Sequence, residues 1–266
     1  SMNKLAIVSS KKYLKSKQAV ELINYLDKQK IIYEKILADS ELQNSDNEAG
    51  FELIISVGGD GTALKAMSLG WKLSVPVLNL GSGTVGYLVN SFDSIDFDSI
   101  INENFENFKN RTPIIQNNDE FRPAFNEIVL IKNAPTRMLD MQIETYNQKV
   151  KLRADGLIIS SSLGSTAYNY SAGGPIVQTS INSLIITPIS PFTKFPRSIV
   201  LDNKSDIKIT IFKNQDFSIQ FDGVEIIEGN EQQNTVYDYR LSKNKLKVLE
   251  VSDNPKLDHF LNQILR

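Results

Sequence analysis

The sequence predicts an α/β N-terminal lobe built on a parallel sheet and a mostly β C-terminal lobe, α+β overall, with a last helix returning to the first lobe. Three observations carry this. The first hundred or so residues alternate short apolar runs with helical spacing, the rhythm of a parallel α/β sheet. From about Arg111 the chain breaks into short β-rich runs separated by Asn, Asp, Gly and Pro. Residues 254–266 then return to helical spacing through Leu257, Phe260, Leu261 and Ile264. A chain of 266 residues is long enough for two such lobes, expected at 1–105 plus about 245–266 and at 106–244.

In order, residues 5–9 form an apolar run that predicts a strand, and Ala19, Leu22, Ile23 and Leu26 predict a helix over 16–29. Residues 31–37 predict a second strand, and the polar, acidic stretch 39–50 a loop or frayed helix. Ile54-Ile55-Ser56-Val57 reads as a buried parallel strand, and it ends in Gly58-Gly59-Asp60-Gly61-Thr62. A turn without β-carbons lets a ligand come against the backbone, so this is a candidate phosphate turn. Ala63, Leu64 and Met67 predict a short helix capped at Gly70, and residues 75–80 another strand. That strand runs into Gly81-Ser82-Gly83-Thr84-Val85-Gly86, which has the spacing of the dinucleotide fingerprint. The fingerprint opens a helix directly, whereas Tyr87-Leu88-Val89 continues apolar and the next helix begins within 93–100. These glycines are therefore read as allowing close packing near the first turn, and a Rossmann dehydrogenase is set aside.

In the second half, runs at 127–132, 138–146, 149–152, 157–161, 184–187, 207–212 and 217–221 predict strands. Asp222-Gly223, directly after one of them, reads as a hairpin turn and not as a catalytic pair. Thr187-Pro188-Ile189-Ser190-Pro191-Phe192 reads as a loop stiffened by two prolines.

Composition narrows the function classes. With 29 basic and 31 acidic residues, net −2, there is no global basic field for nucleic acid or an anionic membrane, so a small-molecule partner is expected. Zero cysteines exclude disulfides, thiolate metal sites and a cysteine nucleophile, and fit a reducing compartment. The single histidine, His259, rules out a histidine triad or multi-histidine metal site and is expected on the surface of the last helix. No targeting segment opens the chain and no stretch of about 18 consecutive apolar residues occurs, so a soluble, cytoplasmic protein is expected.

Three stretches carry candidate chemistry. Asp60 sits among glycines, where a carboxylate beside a phosphate is repelled unless a metal ion or a hydroxyl proton partners it. Asn126-Glu127 stands at a strand entrance; an amide can pair with an adenine edge and a carboxylate can accept ribose hydroxyls, with a solvated strand end as the plain alternative. Asp155-Gly156 leads through an apolar strand to five hydroxyls, Ser160, Ser161, Ser162, Ser165 and Thr166, around Gly164. Ala167, Tyr168, Asn169, Tyr170 and Ser171 follow. Uncharged donors and acceptors with little bulk suit a sugar and a base, and Tyr168 can stack on a flat ring.

Taken in this order, GGDGT at 58–62, Asn126-Glu127, Asp155-Gly156, Gly164-Ser165-Thr166-Ala167-Tyr168, Ser171-Ala172-Gly173-Gly174-Pro175 and the 188–191 loop resemble the bacterial NAD kinases over nearly the whole chain. GGDGT alone is shared with diacylglycerol and sphingosine kinases and phosphofructokinases; the stretch from Gly164 to Tyr168 separates them. Three positions depart from the family pattern: Ser161-Ser162-Leu163 stands where Thr-Pro-Thr is usual, Asn79-Leu80-Gly81 where Gly-x-Asn is common, and Phe192 where a histidine often follows.

The resemblance implies transfer of the terminal phosphoryl group of ATP or polyphosphate, with magnesium, to the 2′-hydroxyl of the adenosine ribose of NAD. It implies that Asp60 orients or deprotonates that hydroxyl and that Gly58, Gly59, Gly61 and Thr62 admit phosphates. Gly61, Asn126 and Glu127 would touch the acceptor, and Thr166, Ala167, Tyr168, Asn169, Tyr170 and Ser171 would frame its base. Arg153 and Asp155 would line the dinucleotide pocket, sharing a strand face two residues apart, with a surface salt bridge as the alternative for Arg153. It also implies a homotetramer. The competing readings are a GGDGT kinase for a lipid or sugar, whose lipid version the polar 160–171 loop opposes, and a non-catalytic dinucleotide sensor, which an intact Asp60 opposes.

Overall fold

The structure, a computed structural model, describes residues 1–39, 48–82, 86–135, 137–251 and 261–262. Most of the expected last helix over 254–266, His259 included, lies outside the described residues, as do Gly83, Thr84, Val85 and most of the 39–50 stretch. The chain divides into two compact units, Ser1–Arg111 with Lys245–Arg266, and Thr112–Asn244.

The first unit alternates strands and helices: β1 (Lys4–Ser9), α1 (Lys17–Lys28), β2 (Ile32–Leu37), β3 (Ile54–Gly58), α2 (Asp60–Leu73), β4 (Val77–Gly81), α3 (Phe97–Ile101) and β5 (Phe108–Arg111). Local signals set these elements. The Ser16 hydroxyl caps α1 by accepting the Ala19 N–H at 3.2 Å, and Ala19, Leu22 and Leu26 bury the face that the periodicity marks. Helix α2 outruns its expected end. Gly70 lies inside it, and the stop is Ser74 in the left-handed region, φ +57°. Gly70 is small for another reason: a β-carbon there would strike the Val77 side chain.

The second unit holds β6 (Ile114–Gln116), β7 (Asp119–Ala124), β8 (Glu127–Lys132), β9 (Leu139–Thr145), β10 (Gln148–Ala154), β11 (Gly156–Ser161), α4 (Tyr168–Ser171), β12 (Ser183–Ile189), β13 (Ile199–Asp202), β14 (Ile207–Ile211), β15 (Phe217–Phe221), β16 (Val224–Gly229) and β17 (Thr235–Leu241). They form two antiparallel six-stranded sheets, ordered β10-β9-β14-β17-β6-β7 and β13-β12-β11-β8-β15-β16. Ile128, Leu130 and Leu157 from one sheet and Met141, Ile209 and Tyr239 from the other share one core, so the sheets pack as a sandwich. Pro188, expected in a loop, is inside β12 opposite Leu157.

The last strand, β18 (Leu246–Leu249), belongs to the first unit, whose sheet runs β2-β1-β3-β4-β18-β5. It pairs parallel to β4 and antiparallel to β5, and Arg111 and Glu250, both mostly buried, form an ion pair beside it. The described return to the first unit is thus made by a strand. In this sheet β3 and β4 are buried along their whole length, as central parallel strands are. The order reverses between β1 and β3, and a ligand crevice is expected beyond their carboxyl ends.

Candidate active site

The glycine turn opens at that reversal. The Ser9 hydroxyl at the end of β1 donates to the Val57 carbonyl at 3.0 Å, tying the two strand ends together just before the turn. Gly59 caps α2, and Asp60 and Gly61 lie in its first turn, at the positive end of the helix dipole. A β-carbon on Gly58 would lie 2.8 Å from the Thr62 hydroxyl, so Gly58 and Thr62 pack on each other. Among the described residues, a β-carbon on Gly59 or Gly61 would meet no atom within 4 Å. The open side of the turn is therefore at these two residues.

Asp60 has partners of its own. Its carboxylate accepts the Tyr87 N–H at 2.9 Å through one oxygen and the Leu88 N–H at 2.8 Å through the other. A β-carbon on Gly86 would lie 2.5 Å from that carboxylate. The end of the second glycine stretch thus packs on the first turn. A cavity of about 360 Å³ lies in this unit, lined by Lys17, Gln18, Gly81, Gly86, Asn90 and Asp93 among others. Asn79 is fully buried and accepts the Ser56 hydroxyl at 2.6 Å, while its amide nitrogen has no partner among the described residues.

In the second unit, Glu127 begins β8 and is buried, accepting the Tyr168 N–H at 3.2 Å. Burial pushes its carboxyl up to about 7, the nearby Asp222 charge adds to this, and the Tyr168 N–H opposes it. Asp222 turns the β15–β16 hairpin, as the Asp-Gly signal predicts, and does more. Its carboxylate lies inside and accepts the N–H groups of Phe125, Asn126 and Glu127 at 2.8, 2.7 and 3.2 Å. Burial raises it to about 6 against the pull of those three donors.

The hydroxyl-rich stretch is mostly interior. Ser160, Ser161, Ser162 and Ser165, expected to suit a sugar and a base, are buried and hydrogen-bonded within the protein. Ser161 accepts the Gly164 N–H at 3.0 Å and donates to the Phe125 carbonyl. Asn169, expected beside the base, is interior as well. It is fully buried, its amide donates to the Ser165 and Pro175 carbonyls at 3.0 Å each, and its oxygen accepts the Thr187 hydroxyl at 2.6 Å. Thr166 and Ala167 are half-buried, and Tyr168, Tyr170 and Ser171 are exposed.

Arg153 and Asp155 do not share a strand face. Arg153 is on β10 and grips Asp140 through two contacts, 2.8 and 3.2 Å, the surface salt bridge left open as an alternative. Asp155 lies where the chain passes from one sheet to the other and pairs with Lys132 at 2.8 Å. A groove of about 870 Å³ is lined by Arg137, Asp140, Arg153, Phe192, Lys213 and Gln215 among others, with Phe192 73% exposed.

The ATP-NAD kinase N-terminal domain matches residues 8–107, and the ATP-NAD kinase C-terminal domain matches residues 125–251. The NAD kinase of Flavobacterium johnsoniae is 31% identical over 253 residues, covering 88% of this chain and 84% of that protein. The chain belongs to the NAD kinase family. A Clostridium tetani NAD kinase is 36% identical over 220 residues, covering 79% of this chain and 78% of that protein. The NAD kinase of Methanothermobacter thermautotrophicus is 37% identical over 168 residues, 61% of this chain and 59% of that protein. Relatives are bacterial and archaeal alike, so membership is of the family at large.

Two NAD kinase-type crystal structures share the fold. An Archaeoglobus fulgidus NAD kinase in complex with ATP superposes with a TM-score of 0.74 at 22% identity, covering 98% of this chain and 97% of that one. Yeast NADH kinase complexed with NADH gives 0.79 at 20%, covering 99% and 87%. Of the departures from the NAD kinase pattern, Ser161 and Ser162 are hydrogen-bonded inside the protein, and Phe192 is at the rim of the second-unit groove.

Proposed function

We propose that this member of the NAD kinase family transfers the terminal phosphoryl group of ATP or polyphosphate to the 2′-hydroxyl of the adenosine ribose of NAD, giving NADP. The observation that carries the reading is Asp60, fixed at the start of α2 between two glycines whose missing β-carbons meet nothing among the described residues. A ribose hydroxyl is a poor nucleophile at neutral pH and needs a base within hydrogen-bond reach as charge develops. A carboxylate has about four lone-pair sites. The Tyr87 and Leu88 N–H groups occupy one on each oxygen of Asp60, which orients the group and leaves acceptor capacity for the hydroxyl proton.

The first unit is assigned to the phosphoryl donor, its triphosphate at Gly58, Gly59, Gly61 and Thr62 and the positive end of α2. The second is assigned to the acceptor, with Asn126 and Glu127 at the adenosine, Tyr168 and Tyr170 offering ring faces, and Thr166, Ala167 and Ser171 around them. Arg153 and Asp155 keep a place at the edge of that pocket. Among the described residues no three metal-ligating side chains cluster, which suits magnesium, an ion that takes one or two carboxylates and leaves its other positions to phosphates and water. The ion would come with the donor's phosphates and offset their charge, with Asp60 kept for the hydroxyl. Family resemblance supports a homotetramer, and the absence of cysteine fits the cytoplasm.

Purified protein with ATP, magnesium and NAD is expected to form NADP, read by an NADP-specific dehydrogenase; no NADP with any donor overturns the reading. Asp60→Asn is expected to lose about 10²- to 10⁴-fold in kcat while still binding NAD. Normal turnover by that variant would remove Asp60 from its role.

A further inference from the structure

Asp222 is more than the corner of a hairpin. It sits at φ +51° between β15 and β16, and its own N–H donates to the Glu127 carbonyl at 3.0 Å. With the three N–H groups its carboxylate accepts, four hydrogen bonds join one turn residue to three consecutive residues far away in sequence. The register explains the reach: β15 lies beside β8 with Phe221 opposite Ile128, which leaves the next residue facing the start of β8. Consecutive backbone N–H groups converging on an anion are the usual means of holding a bound phosphate or carboxylate. Here the chain supplies the anion itself. The segment's carbonyls are held too, since Ser161 donates its hydroxyl to Phe125 and its N–H to Asn126.

We propose that Asp222 is a positioning residue for the acceptor: by gathering these N–H groups it sets the height and tilt of Asn126 and Glu127, and through them the grip on the adenosine of NAD. The inference rests on the function proposed above. Asp222 also acts on Glu127 by charge. Among the described residues it is the charged group whose field raises Glu127, and the Tyr168 N–H is the donor that opposes it.

The test is Asp222→Asn, which keeps the shape but turns one oxygen into an NH₂ group facing N–H donors. Its Kd for NAD by calorimetry is expected to rise about tenfold and its KM for ATP to stay unchanged. The midpoint of the pH dependence of NAD binding is expected to fall, because the Asp222 charge that adds to the effect of burial on Glu127 is gone. An unchanged Kd, an unmoved pH profile, or NAD and ATP constants that worsen together would overturn the proposal. Wild type that binds NAD but forms no NADP would remove the kinase reading, and the Kd ratio would still decide the role of Asp222. Should the variant not fold, the amide protons of Phe125, Asn126 and Glu127 in wild type are expected to titrate together, with a midpoint that NAD shifts. Separate titrations, or one indifferent to NAD, would refute it.

Discussion

The glycine turn at 58–62 and the loop at 160–174 look alike in composition, each dense in small residues beside a strand end, yet they use smallness in opposite ways. At Gly59 and Gly61 a β-carbon would meet nothing within 4 Å among the described residues. At Gly164 it would strike the Asn126 carbonyl, and at Gly174 the Asn169 amide. The serines of the loop follow the same division, closing hydrogen bonds inside the protein where Asp60 keeps acceptor capacity in the turn. Gly59 and Gly61 leave space open among the described residues; Gly164 and Gly174 leave room for the chain.

The substitution with the largest expected effect on stability is Gly164→Ala. A methyl group against the Asn126 backbone should cost about 3 kcal/mol in urea unfolding, since overpacking of a tight site typically costs 1–3 kcal/mol and sometimes more. A loss under about 0.5 kcal/mol, the range of an ordinary surface change, would erase the contrast.

The second test uses Glu127, inside the packed region. Its carboxyl is held near 7 against an ordinary value of 4.5, so between those values the folded chain keeps a proton that the unfolded chain has released. Stability should therefore fall as pH rises through that window, by on the order of 3 kcal/mol. Asp222, raised from 3.8 to about 6, acts in the same direction. Glu127→Gln is expected to remove roughly half of the slope and leave the share of Asp222; an equal slope in the variant would place the cause elsewhere.

The smallest effect on stability belongs to Gly61→Ala. In the first turn of α2, with nothing near its β-carbon, alanine should stabilise by about 0.5–1 kcal/mol. The same methyl group should raise the KM for ATP several-fold and leave NAD affinity alone. A stabilised variant with wild-type donor kinetics would mean that the space beside Gly61 is not the donor's.

Much of the fold was legible because its signals are local. Ala19, Leu22 and Leu26 announce α1, the run at 127–132 coincides with β8, and Asp222-Gly223 marks a hairpin that exists. What escaped was settled by distant partners. Gly70 imitates a helix stop, but Val77 on the next strand is what requires it. Arg153 and Asp155 are close in sequence, yet the chain changes sheets between them and Asp140 and Lys132 take one each. Asn169 has the residue type of a ligand contact, and only the positions of Ser165, Pro175 and Thr187 show that its amide is already satisfied. Asp222 carried a signal for its turn and none for the three amides it gathers.

Strand β18 governs when the first unit can be finished. Its place between β4 and β5 is filled only by residues that follow the whole second unit in the chain. During synthesis from the N-terminus, β1 to β4 emerge early with the β4 edge still open, and open edges are sites of wrong pairing. A chain cut short after Asn244 would keep its glycine turn and every residue of its sandwich, yet lack the strand that joins β4 to β5. The first unit, begun first, is completed last.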